Sequence, residues 1–374
     1  MKTLAIVLSI ICLALRTHAQ DENDYAEADR IALNIPASQT NSTADIAAYI
    51  NKNLDTDNKK VRAIYTWVIS QIRYSTDSIH RVILNEDRDQ LVTFALRRRK
   101  GVCENFAAIF DDICKKCGLR SFAVEGYTKQ NSSVDRTSHA WNIVYVDKKW
   151  SAYDPTWDAD QSSTFYQPVR THYFMISPSV FIQTHMPFDP MFQLLDYPLT
   201  YKEFNNGSIK SKSPAMYFNY TDSINKYEKA DPLERYLGAT ERIQNNGPAN
   251  NMISTKLSQL RLEIELIYQV KDSILYNDAI ADYNFAINEF NNFIAYRNNQ
   301  FKPEKTDAQI QLLFDEVHKR IATARKKLKQ VNQSKARLTL DTGDVEYAIN
   351  TLDKHVQEQE VFFKNNKSPA NNKQ

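Results

Sequence analysis

The sequence predicts an α+β domain followed by an all-α helical bundle. Three patterns predict it. Apolar residues recur at helical spacing up to Cys117, runs between Ser121 and Asp154 alternate as strands do, and four apolar helical stripes follow from Ile253 onward.

The elements follow in chain order. Leu4 to Leu15 is an apolar run behind the short positive start at Lys2, and Thr17-His-Ala19 has the small-residue form of a cleavage site. Residues 1–19 are therefore expected to be a signal peptide, 20–57 a lead-in whose part 21–40 is mobile, 58–210 the α+β domain, 215–364 the bundle and 365–374 a disordered tail. Ser42 or Thr43 can cap a short helix through Ile46, Tyr49 and Ile50. Val61, Ile64, Tyr65, Val68 and Ile72 predict the next helix, residues 74–88 a polar loop, and Leu91, Phe94 and Ala95 another short helix ended by Gly101.

From Cys103, the residues Ala107, Phe110, Cys114 and Cys117 step by four, three, four and three and share one helix face, which stops at Gly118. Ser121 to Thr128, Thr137 to Val146 and Trp150 to Asp154 read as strands. Asp147-Lys-Lys149 is expected to be a three-residue hairpin loop. That register puts Asp154 opposite Asn142, about 10 Å along the strand from His139, so a bulge or a diagonal reach is needed to join them. The aromatic and proline-rich stretch 165–204 is expected to supply closing strands. Beyond it, stripes at 253–267, 276–294, 310–331 and 345–356 predict an antiparallel bundle, with Thr306 and Gln309 as a capping box.

Charge narrows the function classes. The chain has 47 Lys and Arg against 45 Asp and Glu, and loss of Lys2 and Arg16 with the leader would leave a net charge of zero. That argues against nucleic acid and against anionic membranes as partners. The leader run is short for a spanning helix and no later segment is apolar enough, so the protein is expected to be exported, periplasmic or extracellular, without membrane insertion. Three cysteines remain in the mature chain, an odd number that points to a free thiol. Cys103 and Cys114 would lie about 16 Å apart on one helix, too far for a disulfide. Cys114 and Cys117 could bridge only with distortion, and core packing is the better reading of both.

The chemistry centres on Cys103, His139 and Asp154. A thiol at a helix start gains thiolate character from unpaired backbone N–H groups, an imidazole can take and return its proton, and a carboxylate orients the imidazole. The Cys103 backbone N–H is a candidate oxyanion donor, and no second donor is singled out among Gln71, Tyr74 and Gln90. Taken alone, Cys103 would be a buried structural thiol, His139 a packed strand histidine and Asp154 a turn former before Pro155. Trp141 and Trp157 are candidates for substrate binding, with packing around the site as the competing reading. Asp154, Asp158 and Asp160 lack the glycine turn and terminal glutamate of a calcium loop, so they read as surface acids. His172 and His185 lack zinc-site spacing and read as packing or capping, so no metal and no cofactor is expected.

Gly101-Val-Cys-Glu104, Ser138-His-Ala-Trp-Asn142 and Asp154-Pro-Thr-Trp157, in that order, resemble the transglutaminase-like superfamily of papain-type thiol enzymes. The likeness is to the kyphoscoliosis-peptidase and cytokinesis-protein branch and to exported bacterial relatives, and Thr184-His-Met-Pro187 and Phe192-Gln-Leu-Leu195 share it. It covers roughly residues 58–205. It implies Cys103 as nucleophile, His139 as base and acid, Asp154 as orienting carboxylate, and a thioester intermediate resolved by water or by an amine. Glu104 departs from the tryptophan of animal transglutaminases and Asn105 from the glycine common in the nearest branch, which bears on substrate class; no calcium requirement is carried over. The expected function is an exported thiol enzyme, a cysteine peptidase or a protein-glutamine acyltransferase, acting on peptide or side-chain amides of a peptide or protein substrate. The helical domain would recruit substrate or a protein or cell-wall partner. The alternative is a non-catalytic secreted module that binds a protein or cell-wall ligand.

Overall fold

The computed structural model describes residues 25–75, 88–159, 171–207, 216–336 and 340–365. The expected signal peptide, the loop from 76 to 87, Asp160 and the tail beyond Asn365 lie outside the described residues. The chain divides into two compact units, residues 1–258 and 259–374.

The first unit opens on α1 (25–33), α2 (Thr43–Asn53) and α3 (Asp57–Gln71). Within the stretch 21–40 expected to be mobile, α1 is instead part of the core: Ala28, Ile31 and Ala32 pack with Ile46, Ile50, Val61, Ile64 and Trp67. Its apolar residues are few but evenly spaced, and Arg62 anchors α1 through a two-pronged pair with Asp29 at 2.6 and 2.7 Å. Ser42 caps α2 and Thr56 caps α3. Strand β1 (Arg73–Tyr74) pairs in parallel with β2 (Lys100–Gly101), on either side of α4 (Arg88–Arg98). Two-residue strands have no periodicity to betray them, and the sequence pattern instead predicts a helix through Ile72 and a loop from Tyr74.

Helix α5 (Cys103–Lys116) is the spine of this unit. Phe106, Ile109, Phe110 and Ile113 are all fully buried, between α3 and the sheet. Gly118, at φ +86°, ends it; Leu119 N–H donates to Cys114 O and Gly118 N–H to Lys115 O, a Schellman closure. The sheet has the order β5-β4-β3-β6, all antiparallel, with β3 (Arg120–Gln130), β4 (Ser133–Val146), β5 (Lys149–Tyr153) and β6 (His185–Pro187). One face of β4, with Val144 and Val146, packs on the α5 core; the other, with Trp141 and Ile143, packs under Phe181, Met191 and Ile224.

Two sheet details correct the sequence reading. The β4–β5 turn has two residues, not three: Val146 pairs with Lys149, and Asp147 and Lys148 take φ of 51° and 63°. Left-handed backbone at both positions matches the right-handed strand twist, although neither residue is the glycine or asparagine that usually signals it. In the stretch 171–204 the expected closing strands reduce to β6 and one bridge from Ala152 to Ile176; α7 (Pro178–Phe181) and a 3-10 turn at Pro190–Gln193 fill the rest, because prolines at helix starts favour turns over ladders. Asp154 caps the single-turn α6 (Pro155–Asp158).

The unit closes with α8 (Tyr201–Asn206), α9 (Tyr220–Lys229) and α10 (Pro232–Asn246). The sequence placed the domain boundary near 210–215, but these helices pack on the sheet. Ile224 joins the core around Trp141, Arg242 clasps Asp189 at 2.7 and 2.8 Å, and Arg120 clasps Glu228 at 2.7 and 3.0 Å.

Helix α11 (Asn251–Asn298) merges two expected helices into one, since no glycine or proline interrupts 268–275. In the second unit, α11 with α12 (Asp307–Asn332) and α13 (Gly343–Asn365) encloses Phe290, Phe293, Phe314, Val317, Ile321 and Ile349. The Thr306–Gln309 capping box forms in both directions, at 3.2 and 2.9 Å. No helix among the described residues is long and apolar enough to cross a membrane.

Candidate active site

Cys103 is the first residue of α5, and its position follows from the loop before it. Gly101 is required there: a Cβ at this position would lie 2.5 Å from Asn105 Cβ. Asn105 Oδ1 accepts the Val102 N–H at 3.0 Å and its amide donates to Leu91 O at 3.1 Å, tying the helix start to α4. Asn105 is thus a buried structural bracket.

The sulfur is buried against Ala107 and Ala140. Its thiol donates to Glu104 Oε2 at 3.1 Å. Burial, then the Glu104 charge and hydrogen bond, push the thiol well above its ordinary value, and the Ala140 backbone N–H opposes them only in part. The thiolate character expected of a helix start is therefore reversed here by desolvation and an adjacent carboxylate. Cys114 and Cys117 are free, buried thiols; burial lifts Cys117 to about 11.

His139 and Asp154 meet. Nε2 of the ring lies 2.7 Å from Asp154 Oδ2, both side chains buried. The shortened turn makes this possible. In the observed register Asn142 pairs with Tyr153, so Asp154 comes next to Trp141 rather than Asn142. A one-residue slip moves a side chain to the other face of a sheet. Here it puts Asp154 on the parity of His139, one diagonal step away. On the opposite face, Asn142 donates to Ala107 O of α5 at 2.9 Å.

Asp154 is fully coordinated by donors. Oδ1 accepts Thr156 N–H at 2.9 Å and Trp157 N–H at 3.1 Å; Oδ2 accepts His139 and also His185, whose Nε2 lies 3.1 Å away. Burial alone would raise this carboxyl, but the two imidazoles hold it far below the usual carboxylate range. For His139, burial opposes protonation and the Asp154 charge and hydrogen bond overcome it, so its value rises. For His185 burial wins and the value falls. The sequence reading took His185 for packing or capping; its only signal was the Thr184-His-Met-Pro187 motif, which carries no spacing rule. His139, Asp154 and His185 also place three ligating atoms within 4.8 Å of one another. Hydrogen bonds account for that proximity, since both nitrogens address the same oxygen.

The thiol and the ring reach adjacent residues of β4, the sulfur at Ala140 and the imidazole at His139. Among the described residues no hydrogen bond joins them. Of the three upstream candidates, Tyr74 is paired with Gly101 and feels the charges of Cys103 and Glu104 after burial, all of which raise it. Trp141 is 1% exposed, wedged against Phe181 and His185, and offers a substrate no surface. Trp157 is half-buried, with its ring 5.7 Å from His139. Asp158 is no surface acid: it is buried and accepts Tyr65 O–H at 2.6 Å and Tyr173 N–H at 2.8 Å. His172 is exposed beside it, 3.9 Å from the carboxylate.

Residues 44–155 match the family profile described as "Transglutaminase-like superfamily". Kyphoscoliosis peptidase of Homo sapiens is 30% identical over 188 residues, which is 46% of this chain and 28% of that one. Hillarin of Drosophila melanogaster is 24% identical over 208 residues, 50% of this chain and 25% of that one. The chain thus spans about a quarter of the length of the curated relatives it matches. A solved structure described as a TGase overlaps 42% of each chain at 18% identity and a TM-score of 0.27, too loose a superposition to carry weight. The profile match spans α2 to α4, the thiol, the His139 strand and Asp154, so residues 44–155 form a domain of the transglutaminase-like superfamily.

Proposed function

We propose that this protein is an exported thiol enzyme in which Cys103 is the nucleophile, His139 the base and acid, and Asp154 the carboxylate that orients His139. The observation that carries the reading is the buried 2.7 Å contact between His139 Nε2 and Asp154 Oδ2, with Cys103 opening α5 and its sulfur packed on Ala140, the strand neighbour of His139. With its proton on Nε2 facing the carboxylate, the ring keeps a lone pair on Nδ1 to accept a thiol proton. The thiolate attacks an amide carbonyl; His139 then returns the proton to the leaving amine, and a thioester remains. Water would resolve it in a peptidase, and an amine in a protein-glutamine acyltransferase. Catalytic hydrogen bonds are often absent before substrate binds, so the Glu104 contact is read as a resting state. Peptide or protein amides are the proposed substrates, and the second unit is proposed to recruit them or a protein or cell-wall partner.

The test is chemical. Iodoacetamide should label Cys103 ahead of Cys114 and Cys117, and an activated ester should give an acylation burst that Cys103→Ala abolishes. Equal labelling of all three thiols, or a burst that survives the substitution, would overturn the assignment.

One observation favours a second reading. A thiol bonded to Glu104 and pushed up by burial suits a fold kept as a binding module. That module would give no burst with any activated ester, in the presence or absence of peptides.

A further inference from the structure

We propose that His185 is a positioning residue: by donating its Nε2–H to Asp154 Oδ2 it locks the carboxylate against His139 and so fixes the tautomer of His139. Its catalytic consequence rests on the thiol-enzyme reading above; the tautomer claim stands without it.

The case starts from the lone pairs of Asp154. An ionised carboxylate offers about four acceptor sites. Oδ1 is filled by the Thr156 and Trp157 N–H groups of α6. Oδ2 is filled by His139 and His185. With His185 in place the group has no alternative orientation that keeps its bonds. Without it, Oδ2 loses one of two donors in a buried site, and the carboxylate gains freedom to turn on the Oδ1 side alone.

His185 has a polar neighbour at each ring nitrogen. Its Nδ1 lies 2.8 Å from Thr184 Oγ1, while the same hydroxyl is 3.4 Å from Phe181 O. An ionised carboxylate only accepts, so in a neutral ring Nε2 carries the hydrogen that faces Asp154, and Nδ1 is left to accept from the Thr184 hydroxyl. A neutral ring is what its burial favours.

The surroundings argue that this polarity is purposeful. Phe181 stacks on the ring at 3.9 Å, Trp157 lies at 4.4 Å and Trp141 at 5.2 Å. An apolar side chain would fill such a cage without any cost of burying polar atoms. An imidazole there is tolerated because both nitrogens are matched, one to Thr184 and one to Asp154. The backbone is built to deliver it as well. Thr128 of β3 pairs with His185, and β6 runs so close to Gly126 that a Cβ there would sit 2.2 Å from Met186 O.

A packing role and a positioning role separate on two amide substitutions. The Gln amide reaches where imidazole Nε2 sits and can still donate to Asp154; the shorter Asn amide mimics Nδ1 and cannot. Imidazole 15N shifts of the full chain read the His139 tautomer, and the burst with p-nitrophenyl acetate reads the thiol. In the wild type and His185→Gln, His139 should carry its proton on Nε2. In His185→Asn it should show a mixed tautomer, and the burst rate should fall on the order of tenfold or more. Equal behaviour of the two variants overturns the proposal. Should neither fold, the wild-type spectrum decides: a proton on Nδ1 of either histidine overturns it. A wild type without any burst would sink the thiol-enzyme reading and leave the shifts to judge His185. A burst lost in Cys103→Ala but unchanged in His185→Asn would sink the His185 inference alone.

Discussion

Burial first and Glu104 second keep the Cys103 thiol protonated, and the Glu104 contribution can be isolated. The Glu104 carboxylate receives the Cys103 S–H at 3.1 Å and adds its charge to the burial that already resists ionisation. Glu104→Gln removes the charge and keeps the shape. The alkylation rate of Cys103 at fixed mildly alkaline pH should rise, by about tenfold for each pKa unit recovered. An unchanged pH profile would mean that burial alone holds the thiol. The paired imidazoles give a second prediction at this scale. His139 is raised, so it favours folding most below about 6.5 and that contribution fades as pH climbs through its folded value. His185 is lowered, so the folded state resists its protonation, and stability declines as pH drops from about 6.5 toward its folded value. Asp154 is lowered, and its contribution drains away only as pH falls below about 4. Histidine Cε1–H resonances should accordingly show one midpoint on each side of 6.5 for the two rings. Two coincident midpoints would contradict the shared carboxylate.

Elements set these residues in place, and their legibility varied with the kind of signal they carry. The α5 face was legible because its spacing is strict, and its end because Gly118 alone suits a left-handed stop. Cys103, His139 and Asp154 stood out because each sits in its own local motif. The register that joins the last two was not legible. Asp147 and Lys148 form a two-residue turn without the usual glycine, and a single residue of slip decides which face Asp154 occupies. His185 was missed for a related reason: β6 has three residues, too few for any alternation. What fixes β6 is a close approach, not a pattern. At Gly126 a Cβ would lie 2.2 Å from Met186 O and 2.4 Å from Trp141 Cη2. Gly126→Ala should therefore cost about 1–3 kcal/mol, as overpacking does, and loosen the His185 contact. Thermal melts check the cost. A melt equal to wild type would show that β6 can move aside freely.

At the scale of the whole chain, the question is how much polypeptide the site needs. The family profile stops at residue 155, yet the first compact unit runs to 258. The difference is structural. His185 comes from beyond the profile, and the face of the sheet under Trp141 is covered by residues later still. Ile224 and Ile243 are at most 1% exposed. Arg242 pairs with Asp189, next to the turn that follows β6, and Arg120 at the start of β3 pairs with Glu228 of α9. The first turns of α11 belong to the same unit, with Ile253 and Leu257 buried and Lys256 paired to Glu125 at 2.5 Å. Removing Ile224 and Ile243 alone forfeits about 3–6 kcal/mol of apolar burial. Domains of this size are stable by only about 5–15 kcal/mol. A fragment of residues 20–258 should therefore melt cooperatively and keep Cys103 more reactive than Cys114 and Cys117. A fragment of 20–210, cut at the boundary that composition suggests, should lose its cooperative melt. Calorimetry on the two fragments is decisive, because a stable 20–210 would mean that α9 and α10 are ornaments on a self-sufficient sheet, and the long second half of the first unit would lose its structural reason.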